Sequence, residues 1–250
     1  MNKQEYSIYG LIGASLVHSF SQKYFKQKFA QNLDGSNYDY QILEVKELSK
    51  LREQILDLDW AGFNVTIPHK EAILPLLDEI SVEAQAIGAV NTVKIISENR
   101  WVGYNTDAKG FLKALGGIAP SSRALILGAG GASKAVQYAL DTIGVESTKV
   151  SREEGKADLT YEVLDEMIIR QHSLIIQCTP LGTYPDTNSL PNIPYEALTE
   201  HHYCFDLVYN PPLTAFMNRC SSQGAKVTNG YEMLIHQAEA AWAIWQSKQG

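Results

Sequence analysis

Apolar and polar positions in the first part of the chain repeat with a period that switches between that of a strand and that of a helix. The predicted elements are strands at 7–13, 38–45 and 63–67 and helices at 22–31 and 46–56. Tyr24, Phe25, Lys28 and Phe29 recur on one face of the first helix. The resulting βαβ alternation predicts a parallel sheet with right-handed crossovers.

Shorter elements follow Pro68. They are a predicted helix at 71–79, a hairpin of strands at 89–96 and 101–104, and a helix from Asp107 to about Leu115. Residues 116–122 contain two glycines, a proline and two serines. This change in composition predicts a domain linker.

A glycine-rich turn organises the second half of the chain. A predicted strand at 123–127 runs into Gly128-Ala129-Gly130-Gly131-Ala132-Ser133, and a helix at 134–143 and a strand at 147–151 follow. Glycine lets a backbone approach a pyrophosphate, and a helix N-terminus offers free N–H groups, so this order predicts a dinucleotide site. Ser133 takes the third glycine position, and a plain tight turn is the alternative. Further strands at 173–178, 203–208 and 224–227 and helices at 213–222 and 231–245 continue the pattern.

The end of the strand after this turn bears on which dinucleotide binds. NAD sites place a carboxylate there against the ribose hydroxyls, whereas NADP sites place an arginine near the 2′-phosphate. Arg152 and Lys156 favour NADP, while Glu153 and Glu154 would repel a phosphate unless they point away. NAD therefore stays open as an alternative, and an exposed loop cation is the alternative for Arg152.

Polar side chains gather where the third predicted strand ends. Asn64, Thr66 and Lys70 lie around Pro68, and ligands of open α/β sheets bind at strand ends. An amide, a hydroxyl and an ammonium there suit a polyhydroxylated substrate and a proton transfer. Asp107 offers the carboxylate that such a lysine requires, although an aspartate at a helix start is more often a cap.

Other polar residues follow or interrupt predicted strands in the same way. Ser19 and Ser21 come after the first strand and suit a polyol, but either could simply cap the next helix. Asn91 lies in an apolar strand and needs a hydrogen-bond partner. That partner is either the backbone or a substrate hydroxyl. Gln237 is a polar position on a final helix whose Leu234, Ala238, Ala241 and Trp245 predict a packing stripe.

Composition limits the class of protein. The 250 residues are 45% hydrophobic, enough for one large or two modest cores. The net charge is -7 and there is no run of Lys or Arg, so nucleic acid and anionic membrane surfaces are disfavoured as partners. The N-terminus lacks the apolar core of a signal peptide and no apolar run reaches about 18 residues, so we expect a cytoplasmic protein.

The three cysteines do not form a recognisable motif. Cys178, Cys204 and Cys220 are widely spaced and lack CxxC or flanking histidine, which argues against a disulfide framework or a zinc site. We expect them to be buried, with a reactive thiol at Cys178 as the alternative. No metal site is expected.

Taken together, the motifs resemble those of the shikimate dehydrogenase family along nearly the whole chain. The matching stretches are 18–21, 64–70, 88–92, 105–107, 128–132, 179–182, 206–211 and 229–230, followed by Met233-Leu234 and Gln237-Ala238. The chain departs from the family where Ser151-Arg152-Glu153 replaces Asn-Arg-Thr and Gln177-Cys178 precedes Thr-Pro.

The resemblance implies an α/β protein of two α/β domains. A mostly parallel-sheet substrate domain would comprise 1–104 and be completed by the C-terminal helix, 229–250. A Rossmann-like NADP-binding domain would comprise 105–228. The implied reaction is the reversible NADPH-dependent reduction of 3-dehydroshikimate to shikimate by a monomer or homodimer. An NAD-using quinate/shikimate dehydrogenase and a non-catalytic dinucleotide-sensing relative are the alternatives.

The resemblance also assigns roles to individual residues. The catalytic pair falls on Lys70 and Asp107. The implied substrate-binding residues are Ser19, Ser21, Asn64, Thr66, Asn91, Tyr209 and Gln237. The implied cofactor-binding residues are Gly128, Ala129, Gly130, Gly131, Ala132, Ser151, Arg152, Lys156, Thr179, Leu207 and Gly230.

Overall fold

The computed structural model describes residues 6–16, 19–31, 37–117 and 122–247. The chain divides into two compact units, one comprising Met1–Thr106 and Ala238–Gly250 and the other Asp107–Gln237. The domain boundaries predicted from the sequence lie after residues 104 and 228, which is earlier in the chain than the boundaries between these two units. Part of the predicted linker, 118–121, and His18 of the first motif lie outside the described residues.

A six-stranded sheet forms the centre of the first unit. Its strands are β1 (Tyr6–Gly13), β2 (Asn37–Glu44), β3 (Trp60–Val65), β4 (Glu79–Ile80), β5 (Thr92–Ser97) and β6 (Arg100–Tyr104), in the order β2-β1-β3-β5-β6-β4. Strand β1 is parallel to β2 and β3, and β4 is parallel to β6. Only β5 runs antiparallel to its neighbours, because the hairpin predicted from the sequence joins it to β6.

Short helices cover this sheet. They are α1 (Phe20–Ala30), α2 (Leu51–Asp57), α3 (His69–Ala72) and α4 (Val82–Ile87). The predicted helix at 71–79 is wrong. Helix α3 is a single turn, a 3₁₀ turn at Leu74–Leu76 follows, and residue 79 is the first residue of β4. Pro75 is the physical reason, because its nitrogen has no hydrogen to donate and its ring disfavours helical geometry at the preceding residue.

Two apolar clusters stabilise the first unit. One lies under β3, β5 and β6, with Phe63, Val93 and Trp101 fully buried. The other joins β1, β2 and α1 to the end of the chain, where Trp245 stacks on Tyr9 with ring centroids 4.6 Å apart. The predicted stripe on the final helix is buried at Ala238, Ala241 and Trp245. Burial of such side chains contributes about 25 cal/mol per Å² of apolar area.

The second unit is a doubly wound sheet in which every strand is parallel. Its strands are β7 (Arg123–Leu127), β8 (Glu146–Ser151), β9 (Leu159–Thr160), β10 (Leu174–Gln177), β11 (Tyr203–Asp206) and β12 (Lys226–Asn229), in the order β12-β11-β10-β7-β8-β9. Its helices are α5 (Asp107–Leu115), α6 (Gly131–Thr142), α7 (Glu166–Gln171) and α8 (Ala215–Ser221), together with the start of α9 (Tyr231–Gln246). This order reverses beside β7, which is where such sheets bind ligands.

Candidate active site

The predicted substrate residues of the first unit lie at one edge of its sheet. Strands β1 and β3 are parallel, so Ser19 and Ser21 follow β1 at the same edge where Thr66 and Lys70 follow β3. Asn91 comes directly before β5, which runs the other way, and therefore lies at that edge too. The sequence had placed Asn91 inside a strand; the structure places it at the beginning of one.

Asn64 is held on both sides by hydrogen bonds. Its Nδ2 donates to the carbonyl oxygen of Asn91 at 3.2 Å and to Thr92 Oγ1 at 3.0 Å. Its Oδ1 accepts from the hydroxyl of Tyr40 at 2.8 Å. Because a carbonyl oxygen only accepts, these contacts leave the amide one orientation.

Asn91 and Thr106 form the next part of the same network. The Asn91 Oδ1 accepts from the Thr106 backbone N–H at 2.8 Å, and its Nδ2 donates to Thr106 Oγ1 at 2.9 Å. Thr92 Oγ1 donates to Asn91 Oδ1 at 3.1 Å. The sequence left two partners open for Asn91, and the structure supplies a backbone one. All three side chains are buried, so the network is rigid before any ligand arrives.

Lys70 lies in the one-turn helix α3, and its side chain is half-buried. The backbone around it is fixed on two sides. The Lys70 carbonyl accepts from the Val90 N–H at 2.8 Å, and buried His69 donates from Nε2 to the Val45 carbonyl at 2.6 Å. Thr66 is anchored by its backbone N–H, which donates to Ile12 O at 2.9 Å. The structure thus brings Asn64, Thr66 and Lys70 to one strand end.

The two serines differ in their roles. Ser19 is the N-cap of α1, where its hydroxyl accepts a long hydrogen bond of 3.5 Å from the Gln22 N–H. The capping alternative therefore holds for Ser19, and its hydroxyl proton is left for another acceptor. Ser21 is half-buried near the Tyr40 hydroxyl, whose pKa its side chain lowers. Sequence analysis missed Tyr40, because an aromatic residue in a strand is ordinarily a core residue.

The glycine-rich turn of the second unit has the geometry that a pyrophosphate needs. Gly128 has φ +122°, a conformation that other residues rarely adopt. Gly130 is the extended N-cap of α6, and no atom lies within 4 Å of where its Cβ would be. Ser133, at the third glycine position, is buried and donates to the Gly130 carbonyl at 2.6 Å. The turn and the start of a 12-residue helix therefore fit a dinucleotide phosphate.

The loop after β8 carries the charges that bear on the choice of dinucleotide. Buried Ser151 closes the loop, since its hydroxyl accepts from the Glu153 N–H at 2.8 Å and donates to the Glu153 carbonyl at 2.6 Å. Arg152 is exposed. Lys156 forms an ion pair with Glu153 at 2.7 Å, and this hydrogen bond lowers the pKa of the Glu153 carboxyl. Part of the positive charge predicted to face a phosphate is thus neutralised locally.

The remaining predicted cofactor residues, Thr179, Leu207 and Gly230, take part in two close contacts at glycines. A Cβ on Gly128 would lie 3.2 Å from the Thr179 methyl, and a Cβ on Gly230 would collide with the Leu207 carbonyl oxygen. The turn at Thr179 is held by buried Gln177, whose Oε1 accepts from the Thr179 N–H at 2.5 Å and whose Nε2 donates to its carbonyl at 3.1 Å. Gln177, which departs from the family motif, therefore shapes this loop.

A buried carboxylate supports the segment after β11. Asp206 has no exposed surface, accepts from the Thr214 hydroxyl at 2.6 Å and accepts from the Val208 N–H at 2.9 Å. Burial raises its pKa to about 6 against these two hydrogen bonds, which lower it. Leu207 and the half-buried Tyr209 lie in the segment that this carboxylate orders.

Asp107 and Gln237 lie at the two ends of the second unit's segment of chain. Asp107 is the first residue of α5, and Gly110 follows on the same face. A Cβ on Gly110 would lie 2.7 Å from the Met233 carbonyl oxygen and 2.9 Å from the Gln237 Cβ. Gly110 thus lets α9 approach α5 closely, and this is why the second unit continues to Gln237.

The reactive-thiol alternative for Cys178 finds no support. Desolvation of its thiol raises the pKa well above the usual value, so the thiol stays protonated at neutral pH. Cys204 and Cys220 are fully buried, as the sequence predicts. The prediction is wrong for Cys178, which is only partly buried because it lies just after the end of β10. Among the residues for which the structure is described, no helix has the length and apolar character needed to cross a bilayer.

An all-parallel doubly wound unit with a glycine turn, together with a second unit that carries a polar strand-end network, defines a two-unit α/β dehydrogenase architecture. Residues 11–93 match the family described as the shikimate dehydrogenase substrate-binding domain. The chain belongs to the shikimate dehydrogenase family, and both the resemblance and the predicted fold class are confirmed.

Relatives and solved structures agree over most of the chain. A shikimate dehydrogenase (NADP(+)) of Desulforamulus reducens is 36% identical over 94% of this chain and 88% of its own. The crystal structure of a Thermus thermophilus shikimate 5-dehydrogenase with NADP(H) and shikimate is 34% identical, with a TM-score of 0.83 over 96% of this chain and 93% of its own. A quinate dehydrogenase of Corynebacterium glutamicum with NAD is 27% identical, with a TM-score of 0.83 over 97% and 94%.

Proposed function

We propose that this protein is an NADP-dependent shikimate dehydrogenase that catalyses the reversible reduction of 3-dehydroshikimate to shikimate. The observation that carries the proposal is the polar network at one edge of the first sheet, next to Lys70. Asn64, Asn91 and Thr106 are buried and already hydrogen-bonded there, which is the rigid environment that a polyhydroxylated ring requires. Relatives more than 30% identical over most of the chain carry this activity in their names.

The substrate contacts follow from the family assignment. Ser19, Ser21, Asn64, Thr66 and Asn91 hold the carboxylate and hydroxyls of shikimate from the first unit. Tyr209 and Gln237 contribute from the second. What supports the first group is its location at one strand edge, and what supports Gln237 is its packing on Gly110, one turn along α5 from Asp107.

Lys70 and Asp107 are the proposed catalytic residues. As the 3-carbonyl of dehydroshikimate is reduced, its oxygen gains negative charge. The Lys70 ammonium stabilises this charge and donates the proton that makes the hydroxyl, and in the reverse direction it accepts that proton. Asp107 orients the ammonium and the hydroxyl. The helix α3, pinned by His69 and by Val90, holds the Lys70 backbone for this task.

NADP is the proposed cofactor, and it supplies the hydride. Residues 128–132 receive the pyrophosphate through backbone N–H groups, and Thr179, Leu207 and Gly230 line the path toward the nicotinamide. Ser151, Arg152 and Lys156 face the 2′-phosphate. The open space at Gly130 and the left-handed conformation of Gly128 support the first of these assignments.

An NAD-using quinate/shikimate dehydrogenase is the second candidate. The specific observation in its favour is the Lys156–Glu153 ion pair, which withdraws one cation from the predicted phosphate site. A non-catalytic dinucleotide-sensing relative is disfavoured, because such a protein needs neither Lys70 nor Asp107. We also propose that the enzyme acts in the cytoplasm in aromatic amino-acid biosynthesis, as a monomer or homodimer.

The experiment is an absorbance assay of nicotinamide reduction with purified protein and shikimate, comparing NADP with NAD, and quinate with shikimate. Fast reduction of NADP by shikimate alone is the expected result. Equal or faster reduction of NAD, or turnover of quinate, would favour the second candidate. An absence of turnover with every pair would overturn the proposed catalysis and favour a sensing role.

A further inference from the structure

Tyr40 carries a buried hydroxyl that contacts one of the proposed substrate residues. Its side chain has no exposed surface and stacks on Phe25, with centroids 4.6 Å apart and planes 13° from parallel. The ring is therefore fixed, and its hydroxyl donates to Asn64 Oδ1 at 2.8 Å. Strand β2, which carries Tyr40, does not pair with β3, which carries Asn64; β1 lies between them.

The direction of the Tyr40–Asn64 hydrogen bond is determined. Asn64 presents its oxygen to Tyr40, because its Nδ2 is turned to the Asn91 carbonyl. The Tyr40 proton therefore goes to Asn64. Burial raises the pKa of Tyr40 well above its usual value and the nearby Ser21 side chain lowers it, so the phenol stays protonated.

These assignments leave a defined set of atoms for a ligand. Both Asn64 Nδ2 hydrogens are used, one on Asn91 and one on Thr92, so Asn64 can only accept a ligand hydroxyl through Oδ1. Removing the Tyr40 hydroxyl would take away one of the contacts that hold this oxygen in place.

We propose that Tyr40 is a positioning residue for the substrate, whose hydroxyl holds Asn64 in the arrangement that receives shikimate. The inference rests on the proposed function, since it takes Asn64 as a substrate contact. Tyr40 acts through this side chain and not on the reacting carbon or the cofactor. Its loss should therefore affect recognition of shikimate more than the chemical step.

The test is Tyr40→Phe, which keeps the stacked ring and removes only the hydroxyl. We expect KM for shikimate to rise about five- to tenfold, as loss of a buried hydrogen bond implies, with kcat within about twofold and KM for NADP unchanged. Tyr38→Phe is the matched control. Tyr38 lies on the same face of β2, but its hydroxyl contacts Gln246 at 3.4 Å on the exposed side.

A second variant reaches Asn64 from its other side. Thr92 is fully buried and its Oγ1 accepts from Asn64 Nδ2, so Thr92→Val should raise KM for shikimate in the same way and serves if Tyr40→Phe does not fold. In a double-mutant cycle, Tyr40→Phe should add little to Asn64→Ala, because the Tyr40 hydroxyl acts through Asn64.

The outcomes separate the inference from the function on which it rests. If the wild type reduces NADP with shikimate but Tyr40→Phe leaves KM unchanged, or raises it no more than Tyr38→Phe does, the positioning role is wrong and the function stands. Full additivity with Asn64→Ala would also overturn it. If the wild type has no turnover with shikimate, the function fails and the inference fails with it.

Discussion

The two units build their proposed binding sites from different parts of the chain. In the first unit the site is made of buried side chains that hydrogen-bond one another, from Tyr40 through Asn64 to Thr106. In the second unit it is made of backbone at the glycine turn and of exposed side chains such as Arg152. The first arrangement fixes donors and acceptors before binding, whereas the second leaves the charges near the phosphate free to vary.

This difference predicts that the preference for the substrate is harder to change by mutation than the preference for the cofactor. A change within the buried network leaves a neighbouring polar group unpaired, which costs about 1–3 kcal/mol. A change in an exposed loop costs the fold little, typically within about 0.5 kcal/mol. Substrate choice should therefore be robust to substitution in this protein, and the choice between NADP and NAD should be adjustable.

The largest expected effect is at Lys70. Lys70→Ala should lower kcat by about 10²- to 10⁴-fold, because the proton donor is lost, while the affinity for shikimate changes little since the buried network remains. Steady-state kinetics and shikimate titration measure both. Asp107→Ala should also lose turnover. The exposed Lys46→Ala is the control, and near-normal turnover in the Lys70 variant would refute its role.

A pH experiment examines the buried polar group of the second unit. The Asp206 carboxyl has a pKa of about 6 in the folded protein and about 3.9 when unfolded. Between these values the folded state binds more protons, so this residue's contribution to the free energy of unfolding rises as the pH falls from 7 to 4, by about 2 kcal/mol.

The measurement for Asp206 is a difference between two proteins. Denaturant unfolding at pH 7 and at pH 4 should show the wild type gaining stability relative to Asp206→Asn as the pH falls. The comparison with the variant cancels the carboxyls of Asp78 and Glu79, whose lowered pKa values act in the opposite direction. A constant difference would mean that Asp206 is not the buried carboxylate described above.

An intermediate effect is expected at Arg152. Arg152→Ala should raise KM for NADP about tenfold and leave KM for NAD unchanged, because only NADP carries the 2′-phosphate that a guanidinium binds. Arg170→Ala removes an exposed arginine of α7 that pairs with Glu166 and is the matched control. Equal changes for both dinucleotides would assign Arg152 to a different part of the cofactor or to the loop itself.

Local motifs identified the elements near the site, but contacts between distant residues could not be predicted from them. The turn at 128–133 and the strand end at 64–70 carry their own signals, and both were located. Tyr40 reaches Asn64 across an intervening strand, and no spacing rule in the sequence reports such a contact. The close approach at Gly110 was missed for the same reason.

Short elements were missed even where their signals existed. Helix α4 begins after Ser81, whose hydroxyl accepts from the Ala84 N–H at 3.2 Å, and ends at Gly88 with φ +71°. Both are ordinary capping signals. The predicted helix at 71–79 covers the preceding segment and disregards the break that Pro75 causes there.

The smallest expected effect is at Glu153, and it has the opposite sign to that of Arg152. Glu153→Gln breaks the ion pair with Lys156, whose two side chains are both exposed, so its loss should have little effect on stability. It also removes a negative charge beside the proposed phosphate site, so KM for NADP should fall about two- to threefold while KM for NAD stays constant. Glu166→Gln, which breaks the Arg170 pair, should change neither. A rise in KM for NADP would show that Glu153 holds Lys156 in place for the phosphate, and the loop would then be as preformed as the network around Asn64.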